Sequence, residues 1–184
     1  MEKASDASRF FQIPVFRSEE SNRYREPLTD DRWQAALRDI RARLTVADSA
    51  IVRHLALSVK EGIEWLDAPM TKYCRLTHLN CKDPCCTGRS IFYNYADILY
   101  LLALGQYTPP GQTRAAESDP CRYLTPSGCQ LPRIYRPYVC VWFLCDDQIG
   151  LFNQEPLAFQ RRFISIQQDI RKYRLHLEAL FESE

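Results

Sequence analysis

All eight cysteines of this 184-residue chain lie between Cys74 and Cys145, in two blocks, Cys74-x6-Cys81-x3-Cys85-Cys86 and Cys121-x7-Cys129-x10-Cys140-x4-Cys145. The 73 residues before Cys74 and the 39 after Cys145 contain none. Thiols gathered in this way are crosslinked, buried as inert side chains, or converged on a metal, and each outcome demands a different backbone around them. Cysteine accounts for 8 of 184 residues, below the roughly 8–10% of small disulfide scaffolds. A chain of this size also buries a core without staples. The beginning Met-Glu-Lys-Ala-Ser-Asp shows no basic stretch followed by an apolar one, so a reducing, cytoplasmic setting is expected, where disulfides are rare. The adjacent Cys85 and Cys86 point the same way, because neighbouring thiols seldom both find acceptable partner geometry. Metal ligation ranks first, ahead of disulfides and inert thiols.

Charge excludes several classes. Lys plus Arg number 24 against 23 Asp plus Glu, so no global field draws the chain to nucleic acid or an anionic membrane. The apolar run Val139–Cys145 is far shorter than the roughly 18 residues expected of a membrane span. A single mainly α domain is expected, with helices packed around an irregular cysteine-rich metal-binding core at 74–145. An N-terminal arm covers 1–28 and the helical domain 29–184.

Within that domain, Thr29 is placed to cap a helix over Asp30–Val46, with Asp30 and Asp31 at its positive end and Trp33, Leu37, Ile40 and Leu44 at helical spacing. Asp48 or Ser49 caps a second helix, whose stripe of Ile51, Leu55, Val59, Ile63 and Leu66 is expected to stop at Pro69. The two read as an antiparallel hairpin. Residues 70–92 read as irregular backbone with Asp83-Pro84 and Thr87-Gly88 turns. A short helix begins near Asn94 and is capped by Gly105. Gln106–Pro120, containing Pro109-Pro110-Gly111, reads as a loop that bridges the cysteine blocks or acts as a mobile flap. Tyr138–Leu144 reads as a short buried strand or the start of a helix. The last helix, Pro156–Phe181, carries Phe159, Phe163, Ile166, Ile170, Tyr173, Leu177 and Leu180 at alternating spacings of four and three. That seam suits a helix lying across the core or, as a second reading, a homodimer interface.

Thiolate is a soft ligand that suits zinc or an iron–sulfur cluster, whereas magnesium and calcium call for carboxylates. No Cys-x2-Cys knuckle occurs, which disfavours regular zinc ribbons and leaves a cluster or an irregular zinc site drawn from scattered loops. Between Met70 and Cys140 there are eight Lys or Arg and four Asp or Glu, a local excess that offsets the negative charge of a tetrathiolate site. His78, between Cys74 and Cys81, reads as a surface or outer-shell imidazole with ligation as the alternative, and His54 and His176 as ordinary helix residues. Arg136-Pro137 reads as a device for aiming the chain at Cys140, with Arg136 donating to carbonyls or thiolates.

Several stretches now line up: Cys81-Lys82-Asp83-Pro84-Cys85-Cys86, Cys121-Arg122-Tyr123-Leu124, Gly128-Cys129, and Ile134-Tyr135-Arg136-Pro137-Tyr138-Val139-Cys140-Val141-Trp142-Phe143. Together they resemble the YkgJ-type cysteine-cluster family, described as zinc- or iron-chelating domains. That family's pattern is Cys-x2-Cys-x2,3-Cys-Cys, Cys-Pro-Phe-Leu, a Gly-x-Cys turn and Ile-Tyr-x-x-Arg-Pro-x-x-Cys-Arg-x-Phe. This chain departs from it at Cys74-x6-Cys81 and at Cys-Arg-Tyr-Leu. The resemblance, over residues 74–145, implies metal binding by Cys81, Cys85, Cys86, Cys121, Cys129 and Cys140, and Cys74 and Cys145 complete a set of eight candidate ligands.

The function expected is a cysteine-ligated metal-binding protein, holding an iron–sulfur cluster or zinc, in a redox, metal-responsive or maturation role with a protein partner. The alternative is a metal-dependent enzyme, and the family's relation to flagellin lysine-N-methylases makes a protein-methylating activity the form considered. The sequence offers no Gly-rich adenosylmethionine signature, no Ser/His/Asp set and no convincing carboxylate pair to support it. Asp146 and Asp147 read as solvated turn acids. A third reading, nucleic-acid binding, rests only on the patch Lys72, Tyr73, Arg75, Lys82 and Arg89.

Overall fold

The computed structural model describes residues 28–45, 49–77, 91–116, 118–126 and 128–182. It is mainly helical: α1 Asp30–Leu44, α2 Ser49–Thr77, α3 Tyr95–Leu104, α4 Val139–Trp142, α5 Asp146–Phe152 and α6 Leu157–Glu182. A two-stranded antiparallel ladder pairs β1 Leu124–Thr125 with β2 Gly128–Cys129, and a 3-10 turn covers Arg133–Tyr135. Among the described residues no helix is long and apolar enough to cross a membrane. The expected arm at 1–28 lies outside the described residues except for Leu28, which is buried in the core.

Helix α1 starts where its sequence dictates. The Thr29 side chain accepts a hydrogen bond from the Arg32 amide, Asp30 and Asp31 occupy the first turn, and Arg41 and Arg43 the last, each charge complementing the helix dipole. Trp33, Leu37 and Ile40 are buried. Their chief packing partner is α3 rather than α2, so the expected α1–α2 hairpin gives way to a helix laid on α3.

Helix α2 does not stop at Pro69, as expected from the sequence, but runs through it to Thr77. Proline removes one backbone donor and costs about 3 kcal/mol in a helix interior. The turns beyond it bury Met70, Tyr73 and Thr77 in line with Val59, Ile63 and Leu66. Each large apolar side chain so buried contributes roughly 1.5–3 kcal/mol, so continuing the stripe offsets the lost bond. Residues 70–77 are accordingly helical rather than irregular.

Along its length α2 packs antiparallel on α6, with Trp65 against Phe159 and Phe163 and Gly62 facing Ile166 and Ile170. Of the seam predicted for the last helix, Phe163, Ile170 and Leu177 are buried and Phe159, Ile166 and Tyr173 pack against the core from its edge, whereas Leu180 is exposed and the neighbouring Phe181 is buried instead. Helix α3 fills the space between α1, α2 and α6. It is closed at both ends as the sequence predicts, by a reciprocal Asn94–Asp97 capping box and by Gly105 in the left-handed conformation at φ 65°.

One buried polar knot joins three of these elements. Arg174 of α6 donates from Nη1 to Asp97 Oδ1 at 2.6 Å and from Nη2 to Asn94 Oδ1 at 3.1 Å. The amide of Tyr138, at the start of α4, donates to the same Asp97 oxygen at 3.1 Å, and the guanidinium lies 4.4 Å from the Tyr138 ring centroid. The side chains of Arg174 and Asp97 are only 1% and 5% exposed. Burial pushes the Asp97 carboxyl above its ordinary value, and Arg174 with the Asn94 and Tyr138 amides pulls in the opposite direction.

The stretch Gln106–Pro120 has no regular element, as expected, yet it is not a free flap. Trp33 Nε1 donates to Pro109 O at 3.1 Å and Gln34 Nε2 to Pro110 O at 3.1 Å. Buried Gln112 bonds both the amide and the carbonyl of Tyr93, Thr113 Oγ1 donates to the Ile91 carbonyl, and the Tyr123 hydroxyl to the Gly111 carbonyl. Residues 109–113 are thus tied to α1 and to the segment leading into α3.

Two outcomes test this packing. A Cβ added at Gly62 would stand 2.6 Å from Ile170 Cγ1, so Gly62→Ala is expected to destabilise by about 1–3 kcal/mol from overpacking. The opposite sign would follow from helix propensity alone, which favours alanine by about 1 kcal/mol; the denaturant midpoint decides between them. Arg174→Met leaves Asp97 buried without its cation and is expected to cost about 3–5 kcal/mol. The Asp97→Asn, Arg174→Met double variant is expected to cost less than the sum of the two single ones.

Candidate metal centre on the cysteine-bearing loops

Five cysteines are described: Cys121 in a loop, Cys129 on β2, Cys145 at the N-cap of α5, and Cys74 and Cys140 inside α2 and α4. All five are half-buried. Cys81, Cys85 and Cys86, together with His78, lie outside the described residues. His54 and His176 are exposed helix residues, as expected.

Cys74 sits one turn from the end of α2, and its surroundings are held by two tethers. Lys72 Nζ donates to Glu155 Oε1 at 2.6 Å, and the Tyr73 hydroxyl donates to the same oxygen at 3.2 Å. Burial, then the Glu155 charge and hydrogen bond, raise the Tyr73 hydroxyl, while the Lys72 hydrogen bond chiefly lowers the Glu155 carboxyl. The second tether is Gln148 of α5, a buried side chain whose Nε2 donates to Cys74 Sγ at 3.4 Å and to Thr77 Oγ1 at 3.5 Å. Its Oε1 accepts from the Cys145 amide at 3.2 Å, and its own amide donates to the Cys145 side chain in a capping box. Cys145 is therefore the N-cap of α5, in the place where serine or threonine usually stands. Asp146 and Asp147 are exposed in the first turn of that helix, in keeping with their reading as solvated acids.

The other three described cysteines lie between the end of the 106–120 stretch and α4. Cys129 faces Leu124 across the β1–β2 ladder, which is closed by Gly128 at φ 109° and by Thr125 Oγ1 donating to Gly128 O at 2.7 Å. Cys121 accepts the Leu124 amide on its carbonyl at 3.0 Å, and the next residue's amide, that of Arg122, donates to Thr113 O at 2.7 Å. Cys140 lies within the single turn of α4. Tyr93, whose hydroxyl donates to Tyr135 O at 2.7 Å, is close enough to Cys140 and Cys129 to feel their charge. Burial raises its hydroxyl well above the ordinary value, and Tyr123, Asp97, Cys140 and Cys129 push the same way. Tyr123 is pushed up to about 12, again by burial first, with Cys121 among the neighbours that raise it. A thiolate placed beside either tyrosine meets a protonated hydroxyl throughout the physiological range.

Two arginines set the approach to Cys140. Arg136, singled out from the sequence, donates from Nε to Leu131 O at 2.8 Å and so braces the turn before Pro137. Arg133 does more and carried no sequence signal beyond being a cation in the apolar run Leu131-Pro132-Arg133-Ile134. It is 4% exposed and donates from Nη1 to the Cys140 carbonyl at 3.0 Å, from Nε to Asp67 at 2.8 Å and from Nη2 to Thr71 Oγ1 at 3.4 Å. It therefore fastens α4 to the C-terminal half of α2, one turn before Cys74. Gln148 was missed too, although its position three residues after Cys145 is the capping-box spacing.

The five described thiols are half-buried, and those of Cys74 and Cys145 each face an N–H of Gln148. Among the described residues, no three His, Cys, Asp or Glu side chains are grouped closely enough to hold an ion. The basic and aromatic patch expected for nucleic acid is reduced at its first members, since Tyr73 is buried and Lys72 is paired with Glu155; Lys82 and Arg89 lie outside the described residues.

Replacing Arg133 with methionine removes three hydrogen bonds and leaves the Cys140 carbonyl without its donor. An expected cost of about 1–3 kcal/mol in chemical denaturation, with faster alkylation of Cys140 than in the parent chain, would mark Arg133 as the residue that positions α4. Comparison of the chain with family models, with curated proteins and with solved structures finds no match, so its resemblance to cysteine-cluster domains rests on the motif residues themselves.

Proposed function

We propose that this chain is a cysteine-ligated metal-binding protein, holding an iron–sulfur cluster or zinc on the loops between α2 and α6, in a redox, metal-responsive or maturation role. The observation that carries this reading is the state of the described thiols. Cysteine is among the most buried residue types when it serves only as packing, yet none of the five described cysteines is fully buried. Cys121 and Cys129 touch the continuous apolar core only from its edge, and Cys74, Cys140 and Cys145 lie outside it. Cys74, Cys129 and Cys145 are free thiols, which speaks against a disulfide framework for those three.

The sequence supports the same reading independently. Eight thiols confined to 74–145 with excess local positive charge fit an anionic thiolate site, and the motif residues resemble the YkgJ-type cysteine-cluster pattern. Cys81, Cys85 and Cys86 join the ligand set on that sequence evidence. A bound cluster would supply electron transfer, and zinc would supply structural closure of the loops. The chain's own contribution is to present thiolates, screen them with Tyr93 and Tyr123, and brace the backbone that carries them through Arg133 and Arg136.

Metal analysis with an absorption spectrum, on protein purified without oxygen, tests this directly. Iron with acid-labile sulfide and a broad band near ~400 nm is the result expected of a cluster, and stoichiometric zinc with a featureless visible spectrum that of a zinc site. Cys85→Ser and Cys140→Ser are each expected to lower metal content and soluble yield together. Protein free of both metals, or both variants retaining the parent's full content, would overturn the proposal or remove those residues from it.

A further inference from the structure

Gln148 is a buried amide with an unusual pair of partners. Its side-chain nitrogen donates to Cys74 Sγ at 3.4 Å, and its backbone nitrogen donates to the Cys145 sulfur. Its Oε1 takes the Cys145 amide at 3.2 Å, which fixes the direction in which the amide points. One residue thus directs an N–H to each of two sulfurs carried by different elements, the last turns of α2 and the cap of α5. Backbone and amide N–H groups aimed at sulfur stabilise thiolate over thiol, and outer-shell donors of this kind orient ligands and tune affinity. The site is braced on both sides, since Lys72 and Tyr73 tie the turn before Cys74 to Glu155 and Gln148 Nε2 also reaches Thr77 at 3.5 Å.

We propose that Cys74 and Cys145 ligate one thiophilic metal centre together, with Gln148 as the positioning residue that holds both sulfurs. This rests on the metal-binding reading above and adds to it a pairing of ligands that spacing cannot supply, because 70 residues separate the two cysteines in the chain. On coordination each thiol releases its proton to solvent and its sulfur forms a bond to the metal. No electron transfer is involved. Gln148 keeps its hydrogen bonds throughout, so the two sulfurs pay little reorganisation when the metal enters.

The test is site-resolved alkylation of the full-length chain with iodoacetamide, read cysteine by cysteine by mass spectrometry. Three states are compared: protein purified without oxygen, the same protein stripped by chelator, and stripped protein given zinc(II). Cys74 and Cys145 are expected to be protected together in the first state and exposed together in the second. Protection restored by zinc(II) identifies a zinc-class site; protection seen only before stripping identifies cluster iron, and either supports the pairing. Cys145→Ser is expected to expose Cys74 while leaving Cys129 protected. Gln148→Glu keeps the size and the acceptor but loses the Nε2 donor, and is expected to weaken metal retention at Cys74 about 10-fold or more without changing the rate at Cys129.

Metal-independent rates at Cys74 and Cys145 with protection at Cys129 and Cys140 would overturn the pairing and leave the metal-binding reading standing. The same holds if Cys74 stays protected in Cys145→Ser, or if as-purified protein contains a Cys74–Cys145 disulfide. Metal-independent rates at every cysteine would overturn both.

Discussion

The ion pair between Arg174 and Asp97 is the constraint on which the arrangement of this protein turns. A charge buried to this depth is tolerated only if its hydrogen-bonding capacity is met, and Asp97 meets it by accepting from three directions: the amide of Asn94, the N-cap of α3, Arg174 from α6, and the Tyr138 amide at the head of α4. The last of these fixes the turn that carries Cys140. Helix α4 is a single turn with too few internal hydrogen bonds to persist alone. Its start is set by the Asp97 carboxylate, its ring contact by Arg174 stacking on Tyr138, and its Cys140 carbonyl by Arg133. The position of Cys140 is thereby inherited from a polar knot in the helical core.

A second consequence concerns the loop between α3 and β1. Because Gln112 and Thr113 bond the backbone at Tyr93 and Ile91, and Tyr123 bonds Gly111, Tyr93 and Tyr123 are held at fixed places beside Cys129, Cys140 and Cys121. Trp33 packs against Tyr93 at 5.3 Å between centroids, the rings tilted by 46°, while its indole N–H donates to Pro109 O. Helix α1 therefore serves the cysteine-bearing region as a clamp, although it contains no thiol itself.

Much of the helical frame was legible because the signals for it are local. Thr29, Asn94 and Gly105 act where the sequence places them, and the stripe from Phe159 to Leu177 faces the core, with Leu180 at its end exposed. What escaped was decided by partners far along the chain. Pro69 reads as a stop, and only the burial of Met70 and Tyr73 against the rest of the fold reverses it. The 106–120 segment reads as mobile, and bonds from Trp33 and Gln34, 76 residues away in sequence, hold it down. The candidate site divides in the same manner. Its cysteines are visible as a pattern, but the side chains that position them, Arg133 and Gln148, are ordinary polar residues whose roles exist only once α2, α4 and α5 meet.

The division of labour between core and cysteine loops has an energetic logic. The apolar cluster from Leu28 to Phe181 is continuous through α1, α2, α3 and α6, so the frame's stability draws on burial that requires no ligand. Among the described residues, Cys121, Cys129, Cys140 and Cys145 sit on short elements and turns held by single hydrogen bonds, each contributing only about 0.5–1.5 kcal/mol. A metal bound there would add its free energy to the weakest part of the structure, since binding to the ordered state alone stabilises that state by mass action. Loss of the metal would then loosen α4, α5 and the ladder at β1–β2 while the four long helices stayed packed. Such an uncoupling is what a metal- or redox-responsive protein needs: a frame that persists in both states and a surface that changes between them.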